Sequence, residues 1–126
     1  MIVIKDFHFD AAHQLTNYYG KCETLHGHRY GLSVGVKGTK DSSTGMLFDF
    51  CKLKEIVTNA VLAKLDHSLL NDYIENPSAE NIAEWIFDVL TPLLKTETCF
   101  LWKITVSETP TSHVELTKED YERYTK

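Results

Sequence analysis

The segment 26–38, HGHRYGLSVGVKG, alternates between two kinds of side chain over its whole length. Because successive side chains of a β-strand point to opposite faces, a period of two predicts a long strand with one buried face. The residues that share this face are His26, His28, Tyr30, Leu32, Val34 and Val36. A strand of this length needs neighbours, so the segment predicts a sheet.

The rest of the chain supplies the other elements of an α+β domain. Residues 1–12 are rich in β-branched and aromatic residues and predict a first strand. Residues 99–108 alternate again, and residues 112–117 are predicted to pair back across a turn at 109–111. One helical period starts near Phe50, a second follows Asn76, Pro77 and Ser78, and Thr117 is predicted to cap a short last helix.

The order of elements is therefore ββααββ, which predicts a four-stranded antiparallel sheet with two helices on one face. The alternation in 99–108 predicts one shared face for Phe100, Trp102, Ile104, Val106 and Glu108. We expect a second apolar sheet face, and such a face tends to find a partner or to close into a barrel.

Composition limits the class of protein. The 126 residues fit one domain, 1–126, and show no internal repeat. A net charge of −5 argues against a nucleic-acid partner, and no apolar run approaches the length of a membrane span. The first ten residues do not resemble a signal peptide. Three cysteines without framework spacing predict free thiols and a cytoplasmic protein.

Three histidines are candidate metal ligands. His26 and His28 lie two apart on one strand, so their imidazoles can aim at one point. His13 follows the first strand, which is expected to pair with the second, and it can therefore lie opposite them. Three imidazoles with an open fourth position suit zinc (Zn2+), although copper and nickel bind such sets too. The alternative is a solvated strand start without a metal.

Further residues are candidates for proton transfer or substrate binding. Cys22 precedes His26 by four residues, and a positive neighbour lowers the pKa of a thiol. The Asp66 carboxylate can orient the His67 imidazole and favour its charged form for proton transfer, although adjacent residues often do not hydrogen-bond to each other. Glu108 ends an apolar face, where a carboxylate needs a donor-rich partner such as an amino-pyrimidinone edge. Cys22 could instead be a loop cysteine with no role, and Glu108 could lie past the core, in water.

Taken together, these motifs resemble the 6-pyruvoyltetrahydropterin synthase / 6-carboxytetrahydropterin synthase family. The resemblance spans nearly the whole chain, in this order: His13, Cys22-x3-His26-Gly27-His28, Leu65-Asp66-His67, Pro77-Ser78-Ala79-Glu80-Asn81, and Glu108-Thr109. It implies the tunnelling fold, in which three subunits join their sheets into one barrel and two such trimers usually stack. A homo-oligomer, trimer or hexamer, is therefore expected.

The resemblance also implies roles for individual residues. The zinc ligands would be His13, His26 and His28. Cys22 would be the catalytic thiol, and Asp66 with His67 would form a second proton-transfer unit presented by a neighbouring subunit. Glu108 would anchor the pterin ring, and Ser78 would help to hold it.

The short gap between Cys22 and His26 resembles the 6-carboxytetrahydropterin branch of the queuosine (7-deazaguanine) pathway. That branch converts 7,8-dihydroneopterin triphosphate to 6-carboxy-5,6,7,8-tetrahydropterin, acetaldehyde and triphosphate. Glu23 opens a second possibility, because some family members use a Glu near this position to release 6-hydroxymethyl-7,8-dihydropterin for folate synthesis. Glu23 could instead be an exposed loop acid. A 6-pyruvoyltetrahydropterin synthase and a non-catalytic pterin-binding metal protein also remain open.

Overall fold

The computed structural model describes residues 1–20 and 23–124. This part of the chain contains five strands and four α-helices. The strands are β1 (Ile2–His13), β2 (His26–Gly38), β3 (Ser68–Leu69), β4 (Cys99–Thr109) and β5 (Ser112–Thr117). The helices are α1 (Phe50–Val57), α2 (Ala63–Leu65), α3 (Ala79–Leu90) and α4 (Lys118–Tyr124). A π-helical turn, Thr58–Leu62, joins α1 to α2, and a short 3-10 helix, Leu70–Asp72, follows β3.

The sheet has the strand order β3-β1-β2-β4-β5. The pairs β1–β2, β2–β4 and β4–β5 are antiparallel, which confirms the predicted four-stranded antiparallel core of an α+β fold. The small strand β3 adds a fifth, parallel partner to β1 at Ala11 and Ala12 alone. A strand of two residues is too short to show a periodic pattern, so the sequence does not predict β3.

The core lies between one face of the sheet and the helices. The predicted inward face of β2 is confirmed, since Tyr30, Leu32, Val34 and Val36 are all buried. Helix α1 buries Leu53 and Val57, and α3 buries the stripe expected of an amphipathic helix, namely Ala79, Ile82, Ala83, Ile86, Phe87 and Leu90. Asp49 and Ser78 cap these helices by accepting the backbone N–H of Cys51 and Asn81.

Strand β4 departs from the sequence prediction. Gly35 pairs with Lys103 and Val36 with Leu101, which leaves Trp102 as the extra residue of a β-bulge. Before the bulge the buried residues are Cys99 and Leu101, and after it they are Ile104 and Val106. The predicted single face running from Phe100 to Glu108 is therefore wrong, because the bulge interrupts the period of two.

The opposite face of the sheet also differs from expectation. Its side chains are largely polar, among them Asp6, His8, Asp10, Arg29, Ser33 and Ser107. The expected second apolar face is therefore wrong for most of the sheet. Within the described residues, β3 covers only Ala11 and Ala12 of the outer edge of β1, and no strand covers the outer edge of β5. Along the described residues, no helix combines the length and apolarity needed to span a membrane.

The last elements follow the sequence prediction closely. Strand β5 pairs back onto β4 across the predicted turn, with Thr109 opposite Ser112. Thr117 accepts the N–H of Asp120 at 3.3 Å and caps α4 as expected. The Tyr121 hydroxyl donates to Asp88, and this bond fastens α4 to α3.

Candidate active site

Three histidines converge at the paired ends of β1 and β2. His13 is directly opposite His26 in the antiparallel ladder, and His28 follows two residues later on the same face. Their ring centroids lie 4.6 to 5.2 Å apart, and the Nε2 atoms of His13 and His26 are separated by 3.1 Å. The predicted position of His13 opposite the HGH segment is confirmed.

Backbone carbonyls orient two of these rings. The Nδ1–H of His13 donates to the Pro77 carbonyl at 2.7 Å, and that of His26 donates to the Thr24 carbonyl at 2.6 Å. Because a carbonyl can only accept, a neutral ring held in this way carries its lone pair on Nε2. Two lone pairs then face each other across 3.1 Å, an arrangement that a cation between them would stabilise.

His28 and Glu108 complete the cluster. The Nε2 atom of His28 is buried and has no hydrogen-bond partner within the described chain, although Glu108 Oε1 lies 3.3 Å away. That contact has the distance of an ion pair without the direction of a hydrogen bond. Burial lowers the pKa of His28, and His13 and His26 lower it further, against the opposing effect of Glu108. The ring is therefore neutral at pH 7 and available as a ligand.

The donor atoms of His13, His26, His28 and Glu108 all lie within 4.8 Å of one another. Imidazole nitrogens and carboxylate oxygens are groups that zinc binds, and three histidines form one of the protein sets found at open zinc sites. An orphaned buried Nε2 and two facing lone pairs both fit a metal ion at this place. The residues present therefore suit the zinc that the sequence predicts.

Glu108 continues the inward alternation of Ile104 and Val106 and lies at a second irregularity of the sheet. Ser107 pairs with His113 and Thr109 with Ser112, which leaves Glu108 as the extra residue between them. Its side chain is 34% exposed, so it is neither in the core nor simply in water. An open pocket borders it, lined on its other sides by residues that include His8, Gly31, Ser107 and Pro110.

Tyr30 lies beneath the cluster, at a position where the sequence pattern indicates only a core residue. It is fully buried, its ring stacks on Phe9 with centroids 5.0 Å apart, and it meets His28 edge-on. Its hydroxyl has no hydrogen-bond partner among the residues that the structure describes. Burial and the charge of Glu108 both raise the pKa of this phenol, so it stays protonated.

Asp66 and His67 form a second group beside the first. Asp66 Oδ1 accepts the N–H of Asp10 at 2.9 Å and lies 3.1 Å from His67 Nδ1. The N–H of His67 donates to the Asp10 carbonyl at 2.6 Å, which holds His67 in a left-handed conformation with φ of 59°. The Asp10 N–H, followed by His67, lowers the pKa of Asp66. Asp66 and His67 therefore contact each other, although adjacent residues often do not.

The imidazole of His67 lies at the surface. Its side chain is 79% exposed and borders a shallow surface that Gly27, His28 and Arg29 also line. An exposed imidazole with a carboxylate at its Nδ1 is suited to exchange a proton with a molecule bound at this surface.

The remaining predicted site residues are placed less completely. Cys22 lies outside the described residues. Glu23 donates its N–H to the Leu15 carbonyl at 2.8 Å, and its charge acts weakly to raise the pKa of His28. Ser78 caps α3, so its hydroxyl oxygen already accepts the N–H of Asn81 at 3.2 Å.

The fold is α+β, with three histidines and a carboxylate at one end of the sheet and an Asp–His pair beside them. A donor set of this kind is typical of proteins that bind a metal ion. The model of the 6-pyruvoyl tetrahydropterin synthase family matches residues 2–119, and the chain belongs to that family. It is accordingly an enzyme of the tetrahydropterin synthase type, acting on a small-molecule pterin by a lyase-type reaction.

Individual relatives carry several names. A 6-carboxy-5,6,7,8-tetrahydropterin synthase from Synechocystis is 46% identical over 92 residues, which cover 68% of this chain and 71% of that protein. A dihydroneopterin monophosphate aldolase from Pyrococcus furiosus is 45% identical over 78 residues, covering 62% and 64%. The structure of the Caenorhabditis elegans 6-pyruvoyl tetrahydropterin synthase superposes with a TM-score of 0.80 at 27% identity and covers 93% and 94% of the two chains.

Proposed function

We propose that this protein is a zinc-dependent 6-carboxy-5,6,7,8-tetrahydropterin synthase of the queuosine (7-deazaguanine) pathway, working in the cytoplasm. It would convert 7,8-dihydroneopterin triphosphate and water to 6-carboxy-5,6,7,8-tetrahydropterin, acetaldehyde and triphosphate. The observation that carries the proposal is the convergence of the Nε2 atoms of His13, His26 and His28 beside the Glu108 carboxylate. The similarity to the Synechocystis enzyme supports this choice of product.

The three histidines would hold the zinc ion through Nε2. When bound, zinc acts as a Lewis acid that polarises a substrate oxygen. The histidines are suited to this task because His13 and His26 each donate Nδ1–H to a backbone carbonyl, which fixes ring orientation before the metal arrives.

Glu108 would orient the pterin. A carboxylate that accepts two hydrogen bonds matches the adjacent N–H groups of an amino-pyrimidinone edge. The side chain is partly exposed and borders an open pocket, and its contact with His28 lacks the direction of a hydrogen bond. Its oxygens therefore remain available to accept from a ligand.

Cys22 and the Asp66–His67 pair would move protons on opposite sides of the bound side chain. Asp66 holds the His67 imidazole through Nδ1, which leaves Nε2 to exchange a proton with substrate. Because His67 faces outward, it would serve a site completed by a neighbouring subunit. The open edges of β1 and β5 are compatible with a homo-oligomer, a trimer or a hexamer, in which these edges pair.

Product analysis tests the proposal directly. Zinc-loaded protein would be incubated with 7,8-dihydroneopterin triphosphate, and the pterins would be identified by mass spectrometry. We expect 6-carboxytetrahydropterin with one equivalent of acetaldehyde. A 6-pyruvoyl product would overturn the choice of branch, and no turnover with intact metal binding would indicate a pterin-binding protein instead. Cys22→Ala should abolish the product while zinc stays bound, and retained turnover would refute the role of the thiol.

A second candidate function is release of 6-hydroxymethyl-7,8-dihydropterin for folate synthesis through Glu23. The 45% identity to a dihydroneopterin monophosphate aldolase favours it. Glu23→Ala separates the two functions, with Glu23→Gln as the matched variant that keeps the side-chain length. Loss of the hydroxymethyl product alone would assign Glu23 to that reaction, whereas an unchanged product mixture would remove it from the mechanism.

A further inference from the structure

An asparagine in a left-handed conformation holds the segment that follows β1. Asn76 has φ of 46°, and its side-chain oxygen accepts the backbone N–H groups of Thr16 at 2.9 Å and Asn17 at 3.2 Å. Asparagine tolerates this backbone conformation better than most residues do. Asn76 therefore joins the chain after His13 to the turn before α3.

A second asparagine fixes that turn to the helix. Asn81, in the first turn of α3, donates from Nδ2 to the Asn76 carbonyl at 2.8 Å. The N–H of Ser78 donates to the same carbonyl at 2.7 Å. The carbonyl of Pro77, the residue after Asn76, accepts the Nδ1–H of His13 at 2.7 Å. The direction of the Pro77 carbonyl thus depends on a turn that Asn81 fastens.

This carbonyl decides which tautomer His13 adopts. His13 is only 1% exposed, so water cannot readily replace a lost partner. If the proton moved to Nε2, that N–H would face His26 Nε2 at 3.1 Å and form a hydrogen bond between the two rings. Such a bond would occupy both of the nitrogens that converge on the cluster, and it would have to break, with transfer of the proton back to Nδ1, before the pair could bind a metal.

We propose that Asn81 is a positioning residue for the metal site: it fixes the Asn76–Pro77 turn, so that the Pro77 carbonyl keeps His13 in the tautomer that presents Nε2 to the metal. The inference rests on the proposed function, since it assumes that His13, His26 and His28 bind zinc. Outer partners of metal-bound histidines typically affect affinity by about 10- to 100-fold.

The test compares Asn81→Asp with Asn71→Asp. The first change removes the amide donor and places a carboxylate against the Asn76 carbonyl. Asn71 is a matched control, because its amide also holds the loop after β1, accepting from Gln14 N–H at 2.9 Å and donating to the Gln14 carbonyl at 2.7 Å. These two bonds do not involve the Asn76–Pro77 turn. Zinc affinity would be measured by competition with a chelating dye, and folding by circular dichroism.

We expect Asn81→Asp to bind zinc about 10- to 100-fold more weakly than wild type, with Asn71→Asp unchanged within error. Equal losses in the two variants would show a general structural effect and overturn the proposal. So would full affinity in Asn81→Asp.

A measurement on the metal-free wild-type protein keeps the inference testable if the variant fails to fold. The ¹⁵N chemical shifts of the His13 ring distinguish the Nδ1–H from the Nε2–H tautomer. We expect Nδ1–H, and a dominant Nε2–H form would overturn the proposal. If wild type binds no zinc, the proposed function fails and this inference fails with it, whereas zinc binding together with a dominant Nε2–H form overturns this inference alone.

Discussion

Replacing Tyr30 with phenylalanine should stabilise the metal-free protein. The Tyr30 hydroxyl is buried and has no hydrogen-bond partner within the described residues. A buried hydroxyl without a partner costs about 1–3 kcal/mol relative to its hydrated state. Tyr30→Phe removes that atom and leaves the rest of the ring in place.

The expected gain follows from what the substitution keeps. The ring stacks on Phe9 with an interplanar angle of 11°, and phenylalanine preserves this contact. Loss of one oxygen gives up a few dispersion contacts of about 0.1–0.2 kcal/mol each. The net effect should be an increase of about 1 kcal/mol in the free energy of unfolding, or about 4 °C in Tm for a domain of this size.

Urea unfolding in the presence of a chelator, at fixed protomer concentration, would measure this change. Tyr121→Phe is the matched control, because the Tyr121 hydroxyl donates to Asp88 and this bond contributes to raising the pKa of Tyr121 to about 12. That variant should lose about 1 kcal/mol. The reasoning fails if Tyr30→Phe is destabilised as much as Tyr121→Phe, since the buried hydroxyl would then have a partner in solution.

Three further changes test other parts of the structure. Gly38→Ala should lower the free energy of unfolding by about 1–3 kcal/mol, because the added Cβ would overlap the Thr98 carbonyl. Gly35→Ala should cost less, since the nearest neighbours of its added Cβ lie at 3.6 Å. Chemical denaturation would rank the two variants, and equal costs would contradict this account of the packing. Leu53→Ala empties a fully buried position and should cost about 2–5 kcal/mol in the same assay, and a smaller loss would mean that the core collapses around it. The ionised Asp66 carboxylate contributes stability that is fully present above pH 3.8, the ordinary pKa of the group, and is lost as the pH falls through its lowered pKa in the folded protein. The stability difference between wild type and Asp66→Asn should therefore shrink in acid. A difference that stays constant to the end of an acid titration would argue against this role of the carboxylate.

The sequence predicts the parts of the site that depend on strand parity. Two long strands with a clear alternation must expose or bury every second residue, so His13, His26 and His28 had to share a face once β1 and β2 paired. The helices were equally predictable, because α1 and α3 carry continuous apolar stripes and α3 follows a capping serine.

The irregular parts could not be predicted from the pattern. Phe100 and Trp102 continue the apolar alternation of Ile104 and Val106, so nothing in the sequence marks the bulge between them. The Asn76 side chain accepts from backbone N–H groups and that of Asn81 donates to a backbone carbonyl, and both roles depend on a left-handed turn that no sequence periodicity predicts. Tyr30 has the pattern of a core residue, and only the unpartnered hydroxyl distinguishes it.

The bulge at Trp102 makes the strand unequally tolerant of changes in length. If Trp102 were deleted, Leu101 would be followed by Lys103, and inward and outward positions would alternate without interruption as far as Glu108. A one-residue loss at this point leaves every later side chain on its present face. The same loss at Thr105 would turn Glu108 away from the histidines. We therefore expect related proteins to tolerate a one-residue deletion in β4 before Lys103. The stretch from Lys103 to Glu108 should keep a constant length in every relative whose site uses this carboxylate.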